Sequence, residues 1–537
     1  MTKNTILETI LLTDGYKLDH RRQYPQGTQY VYCNFTPRSN NWYPEARDGA
    51  VVFGIQMFVK KYLVEKFNKE FFDLPLQDVL DAFDRRVSTY LGKEAAKTIG
   101  HNHIENLHKL GYLPVHIKAL PEGTLCSFGV PMLTITNTHP DFFWLPNYLE
   151  TLLSSELWLP MTSATTARLA RKQLQDHAEN TGFSDQDLTF LCHDFSMRGM
   201  AGTEAAIMSA IGHLTSFTGS ETIPAFAAAE EYYMCDAERE NLACTVPATE
   251  HSVMCAGGKE SEIETFRRLL TKVYPNGFVS VVSDTWDYWQ VITDFLPKLK
   301  DLVMSREGRL VIRPDSGDPV DIICGVDEED VVVLDGKQYY VWGINTKHDA
   351  QFNEEMWKKL RTDSEFAEKH FCPDYKRKGT YQCLLEIFGG KTNEKGYKVL
   401  DPHIGLIYGD SITLEKQKRI YEKLEKKGFA ATNLVLGFGS YTYQLKSRDS
   451  LGFAMKATFC VINGKEHDIF KSPKTDNGVK KSLKGRLMVY NRDGIKVKDQ
   501  CTAEEEKGGL LRTVFIDGQA QNEQTLSEIR QRITKTL

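Results

Sequence analysis

From about Thr162 to Gly439 the chain repeats one pattern: a short apolar run, a polar loop bearing Gly, then helix-like sequence. The runs are LTFLCHDF, FVSVVSD, RLVIRPDSGD, GLIYGD and NLVLGFGS. Short, uninterrupted apolar runs are strands buried on both faces, and strand, loop, helix order makes such strands parallel. The pattern predicts a barrel-like or doubly wound α/β core with ligands at the carboxyl ends of its strands. The unit after GLIYGD shows the logic. Thr413 is placed to cap a helix, Gln417, Ile420, Tyr421 and Leu424 share one face, the last turn is rich in Lys, and Gly428 stops it.

Both chain ends read differently. Before about Leu159, strand-like QYVYCNF and LPVHIKALPEG alternate with helix-like FGIQMFVKKYLVEKF. The last hundred residues carry turn pairs, Asn463-Gly464, Asp493-Gly494 and Asp517-Gly518, between β-type runs, which predicts antiparallel hairpins. Residues 1–160 and 441–537 are therefore expected to build one α+β sheet domain, and residues 161–440 the barrel-like domain. Within about 319–408 lies an extended insertion with a hairpin signal, VVVLDGKQYYV, and a charged helical segment around NEEMWKKL.

Composition narrows the class. At 537 residues more than one core is expected, and 41% apolar with 26% charged residues is ordinary globular usage. A net charge of -6 without a long Lys/Arg block gives no support to nucleic-acid or membrane-surface binding. No secretory leader and no run approaching ~18 apolar residues is visible, so a cytoplasmic location is expected. Eleven scattered Cys without a C-x-x-C pair argue against a disulfide framework or a thiolate zinc site.

The candidate chemistry sits at the strand ends. Arg313-Pro314-Asp315-Ser316-Gly317-Asp318-Pro319 follows the apolar LVI, and its Pro and Gly residues fix a tight loop. A guanidinium fork there suits phosphate, and a carboxylate suits ribose hydroxyls or hydrated Mg²⁺. Read alone, the alternative is a structural turn tied by an Arg–Asp pair. Other strand ends offer Ser280 and Asp284, Gly409 and Asp410, and Gly437-Phe438-Gly439-Ser440, whose backbone amides can cradle phosphate. In HDFSMRG, Phe195 and Arg198 lie three residues apart, able to stack a flat base and hold a phosphate. His251, beside Glu250 and Ser252, reads without context as a hydrogen-bonded structural group. Three decoys carry no chemistry: GGKT at 389–392 lacks the first Gly of a P-loop, GFGSYT lacks the third Gly and the helix of a dinucleotide fingerprint, and His101, Glu105 and His108 read as an exposed helix face.

Taken in order, LLTDGYKLDH, HDFSMRG, FTGSETI, VPATEHS, VSVVSD, VIRPDSGDP, IYGDSI and the basic FKSPKTDNGVKKSLKGR resemble the nicotinamide phosphoribosyltransferases of the wider nicotinate phosphoribosyltransferase group, from residue 11 to 486. The resemblance implies a type II phosphoribosyltransferase fold and a homodimer with shared active sites. It implies a pyridine ring held between Phe195 and Tyr16 of the partner subunit, with Asp14 nearby. Arg198 and Arg313 would serve the base and its phosphoribosyl group, Asp315 and Asp284 ribose or Mg²⁺, and Gly409 and Asp410 ribose and phosphate. Arg38, Arg448, Lys456 and Lys471 match positions that handle pyrophosphate. The matching His251 is phosphorylated by ATP, which favours formation of the mononucleotide.

The implied reaction moves phosphoribosyl from phosphoribosyl pyrophosphate to nicotinamide, giving nicotinamide mononucleotide and pyrophosphate in NAD salvage. Acceptor choice turns on Glu221, where the nicotinamide enzymes usually carry Asp. A carboxylate accepts a bond from the carboxamide NH₂ and repels the carboxylate of nicotinate by on the order of 4 kcal/mol at ~4 Å near a protein surface. Glu221 has an alternative use as a cap for the helix opening at Thr222-Ile223-Pro224. The rival readings are a nicotinate phosphoribosyltransferase, a non-catalytic secreted signalling or binding protein, and, more weakly, a nucleotide-binding oxidoreductase.

Overall fold

The computed structural model describes residues 9–326, 331–334, 337–340, 358–359, 362–363, 373–409, 411–471 and 483–537. The two large sheets draw three strands from the N-terminal part, β1 (Thr28–Thr36), β2 (Val115–Ala119) and β3 (Leu133–Asn137). The middle supplies β4 (Cys192–Asp194), β5 (Gly219–Ser220), β6 (Gly277–Val282), β7 (Gly308–Arg313), β8 (Ile404–Tyr408) and β9 (Leu434–Phe438). The C-terminal part supplies β10 (Ala454–Ile462), β11 (Lys465–Asp468), β12 (Arg512–Ile516) and β13 (Gln519–Ala520).

The first and last groups form one seven-stranded antiparallel sheet in the order β11-β10-β1-β3-β2-β12-β13, so both chain ends share a layer. The C-terminal hairpin turns fall where the sequence signals them, with Asn463, Asp493 and Asp517 all at positive φ before Gly, as a tight primed turn requires. The hairpin turning at Asp493-Gly494 stays outside this sheet as a separate pair, Arg486–Asn491 with Ile495–Cys501.

The middle strands form a six-stranded sheet in the order β5-β4-β9-β8-β7-β6, every pairing parallel. The edges β5 and β6 are joined by the extended segment 244–249. Cys244 N donates to Thr218 O at 2.7 Å, and Ser220 N donates to Cys244 O at 3.2 Å. Thr249 N donates to Ser280 O at 2.9 Å, and Ser280 N donates to Pro247 O at 2.8 Å. Bridged at isolated points on both edges, the sheet curls into a barrel-like form.

One helix, α1 (Glu150–Thr181), runs across residue 160 with Pro160 inside it, so the expected domain boundary falls within a continuous element. Burial of Leu157, Met161, Ala164, Ala167 and Leu174 along its length outweighs the single backbone bond that Pro160 forgoes. The helix predicted after GLIYGD is present as Leu414–Lys426. Thr413 Oγ1 accepts from Lys416 N at 3.2 Å, and Gln417, Ile420, Tyr421 and Leu424 are buried.

The 331–334 and 337–340 strands pair as the hairpin signal predicts, whereas most of the segment around NEEMWKKL lies outside the described residues. No helix among the described residues is long and apolar enough to cross a membrane.

Candidate active site

The carboxyl ends of the parallel strands surround a cleft of about 910 Å³, walled by Phe195, Arg198, Glu221, Arg313, Asp315, Gly409 and Gly439 among others. These sequence candidates lie far apart in the chain and are brought together because each follows a strand of the same barrel. Beneath the cleft a second cavity of about 70 Å³ occupies the barrel interior. Phe195, Glu221, Ala248 and Arg313 wall both spaces. Ser280 faces only the inner cavity, with its buried Oγ unpartnered, so it is a barrel-interior group rather than part of the cleft wall. Asp410 lies outside the described residues.

Two buried acids hold the loops that shape the cleft. Asp194 is fully buried and accepts from Ser196 N at 2.9 Å, Ser220 Oγ at 3.0 Å and Thr222 Oγ1 at 2.7 Å. Its carbonyl accepts from Glu221 N at 3.0 Å, so the turn carrying Phe195 and the turn carrying Glu221 are tied to one residue. Asp284 Oδ2 accepts from Asp315 N at 2.9 Å and Ser316 Oγ at 2.6 Å, which fixes the loop after β7. Tyr408 Oη donates to Gly317 O at 2.7 Å from the neighbouring strand. Arg313 donates to Thr249 O of the segment bonded to the neighbouring β6.

Two glycines make room for these side chains. A Cβ on Gly437 would stand 2.7 Å from the Phe195 ring, and one on Gly409 2.8 Å from Asp315 Oδ1.

Glu221 is half-exposed and does not cap the following helix. Its Oε1 accepts from His193 Nε2 at 2.9 Å and Thr245 Oγ1 at 2.5 Å. Burial works to raise its pKa. The bonds from His193 and Thr245 and the charges of His193 and Arg313 more than offset this, so the group sits below the usual carboxylate range and is ionised.

His251 is 46% exposed, and its Nε2 lies 3.5 Å from Asp284 Oδ1. Its charged neighbour is thus Asp284 from the next strand end. The adjacent acid Glu250 is instead bonded by Ser252. Sequence neighbours on an extended segment point apart, and residues at adjacent strand ends meet.

A second group of sequence candidates does not wall this cleft. Asp14, Tyr16, Arg38, Arg448, Lys456 and Lys471 belong to the sheet domain and its flanking segments. Thr151 Oγ1 bonds Asp14 at 2.7 Å, and the adjacent Lys17 is buried with its Nζ on Glu150 at 2.6 Å and on Asn147 O at 2.8 Å. That anchorage leaves Tyr16 projecting, 65% exposed. Lys456 lies across from Asn34 on β1, while Arg38 donates to Gly452 O at 2.8 Å. The Lys456 ammonium is pushed below its ordinary value by burial and by the charges of Arg38, Lys471 and Arg448, against the pull of Glu150. These cations share one field, which an anion would relieve.

The decoys resolve as structure. Lys391 and Thr392 lie in a short hairpin strand, and GFGSYT ends within a single helical turn, Ser440–Tyr443. The helix face at 101–108 is not simply exposed polar surface. His101 pairs with Asp84, His108 bonds Leu74 O, and the intervening His103 is buried, which pushes it down to about 3. No group of three or more His, Cys, Asp or Glu suited to a metal occurs among the described residues.

Parallel strands in a barrel-like sheet, with phosphate- and ribose-suited groups at their carboxyl ends, define a phosphoribosyltransferase-type fold. The chain belongs to the nicotinate phosphoribosyltransferase family, whose model matches residues 190–519; the N-terminal domain model of nicotinamide phosphoribosyltransferase matches residues 8–117. It is 45% identical to the nicotinamide phosphoribosyltransferase of Acinetobacter baylyi over 98% of this chain and 96% of that one. It is 35% identical to that of Mycoplasma pneumoniae over 90% of this chain and 96% of that one. Human nicotinic acid phosphoribosyltransferase shares the fold at a TM-score of 0.53 with 15% identity, over 98% of this chain and 93% of that one.

Proposed function

We propose that the protein transfers phosphoribosyl from phosphoribosyl pyrophosphate to nicotinamide, releasing pyrophosphate and forming nicotinamide mononucleotide in NAD salvage. The observation that carries this reading is Glu221, ionised on the cleft wall beside Phe195 and Arg313. A carboxylate there accepts from the carboxamide NH₂ and repels a nicotinate carboxylate, while the Phe195 ring offers a face for the pyridine.

Reaction at the anomeric carbon builds positive charge on ribose and negative charge on departing pyrophosphate. Asp315 faces the first, and Arg198 and Arg313 steady the phosphoribosyl group, with no covalent nucleophile required. Asp315 on the wall, with Asp284 behind it, suits Mg²⁺ of the kind that keeps its waters and binds mainly through substrate phosphates. Bound there, Mg²⁺ would neutralise the leaving group.

The remaining cations, Arg38, Arg448, Lys456 and Lys471, are read as the pyrophosphate side of a site completed by a second copy of the chain, with Tyr16 of the partner subunit covering the base. The projecting, anchored Tyr16 and the clustered cations support this. ATP is read as an optional co-substrate that phosphorylates His251, which is half-exposed and held near Asp284.

The test is mononucleotide formation by purified protein with phosphoribosyl pyrophosphate, Mg²⁺ and either base. Turnover of nicotinamide, with nicotinate gaining on it in Glu221→Ala, supports the reading; preferential turnover of nicotinate by the unaltered protein would sink the acceptor assignment. Mixing inactive Tyr16→Ala and Phe195→Ala chains should regain activity if sites are shared. ATP stimulation should vanish in His251→Ala.

A further inference from the structure

Resting on Glu221 as the acceptor-reading acid, we infer that His193 and Thr245 are the positioning residues that make it selective for the amide. Both bonds fall on the same oxygen, Oε1, from the two neighbours that flank β5: His193 from β4 and Thr245 from the closing segment 244–249. Oε2 then remains to accept from a carboxamide N–H. A glutamate has one more rotatable bond than an aspartate and would sample several positions if untethered. Two donors on one oxygen remove that freedom before substrate arrives, so the carboxylate meets the amide without reorganising.

The clamp is itself held. The His193 ring lies between Phe190 and Phe195, with centroids at 5.5 Å and 4.7 Å. Its Nδ1 faces Gly219, where a Cβ would stand 2.5 Å away. Because Glu221 accepts, the proton of a neutral His193 is on Nε2. Gly219 is fixed in turn by the buried His213, whose Nε2 donates to Gly219 O at 3.0 Å and whose Nδ1 accepts from Tyr443 Oη at 2.7 Å. Phe195, the base-stacking candidate, and Glu221, the amide reader, thus bracket one imidazole, and a shift of that ring alters both.

The test compares kcat and KM for nicotinamide and for nicotinate, at saturating phosphoribosyl pyrophosphate, in full-length Glu221→Ala, His193→Phe, His193→Gln and Thr245→Val proteins. Losing one bond to a charged acceptor should raise the nicotinamide KM about tenfold in His193→Phe and in Thr245→Val, and should move the base preference toward nicotinate. KM for phosphoribosyl pyrophosphate should stay at the wild-type value. His193→Gln, which retains a donor, should regain most of the loss, and His193→Phe should add nothing in a Glu221→Ala background.

Thr245→Val is isosteric at an exposed position, so it reports on the bond even if His193→Phe folds poorly. Unchanged base preference in Thr245→Val and in folded His193→Phe, alongside a shifted preference in Glu221→Ala, would overturn the clamp and leave the role of Glu221 standing. Unchanged preference in Glu221→Ala would overturn the acceptor reading itself.

Discussion

The barrel mouth and the cation-bearing face of the sheet domain both gather charged groups, and they hold them in opposite ways. At the mouth, buried acids fix the loops: Asp194 accepts three bonds, and Asp284 takes two on one oxygen. On the sheet face Arg38, Lys471 and Arg448 act against the charge of Lys456, and Glu150 acts for it. A single chain therefore preorganises the groups proposed to meet base and ribose, and at Lys456, proposed to meet pyrophosphate, leaves an ammonium that neighbouring cations disfavour. Rigid donors suit a planar base that must be told from its near twin. Repelling cations suit a leaving group whose charge only has to be neutralised.

The comparison breaks most visibly at Asp194. Asp194→Ala strands buried donors from both site turns and should cost about 3–5 kcal/mol of stability, read by denaturant unfolding, with activity falling in parallel.

A buried acid of the sheet domain, Glu122, is bonded by Gln56 N at 2.6 Å, Tyr233 Oη at 3.0 Å and Gly54 N at 3.1 Å. Burial raises its pKa to about 7, against the pull of those bonds. A carboxyl whose folded pKa is raised stabilises the protein below its unfolded pKa, and that stability drains away as pH climbs through about 7. The expected decline between pH 5 and 8 is on the order of 2–3 kcal/mol and should vanish in Glu122→Gln, with no change in either substrate's KM.

At Gly437 a methyl must displace Phe195, so Gly437→Ala should cost about 1–3 kcal/mol, mainly as a weaker affinity for the pyridine base. The smallest effect belongs to the sheet face. Lys456→Met should leave thermal stability unchanged or slightly raised and should weaken phosphoribosyl pyrophosphate binding roughly tenfold, less at high salt.

Much of this was legible in the sequence, for a physical reason. Parallel barrel strands must be apolar throughout and end in polar loops, so VSVVSD, VIRPDSGDP and IYGDSI mark both the strands and the cleft. The Asn-Gly and Asp-Gly turns announced the hairpins because few residues other than Asn, Asp and Gly accept left-handed backbone cheaply.

Other features left no such trace. Asp194 stands inside HDF with nothing to separate a buried anchor from its neighbours, since its partners Ser220 and Thr222 lie more than twenty residues away. His193 carries no signal of its own beside the more conspicuous Phe195, because its partner Glu221 lies 28 residues away. The closing segment ACTVPAT is neither an apolar run nor an alternating one, because its bonds to two different strands come from a few residues each. Pro160, a natural place to end a helix, lies in the middle of one because packing there prevails.

That closing segment has a consequence for how such a protein changes over generations. The stave of the barrel that carries Thr245 is stitched to its neighbours at isolated points rather than along a full ladder. Substitutions there disturb few backbone bonds, so the wall nearest the discriminating acid is the part of the barrel most open to revision. A lineage can retune which base it accepts on this strip while the strands beneath keep their register.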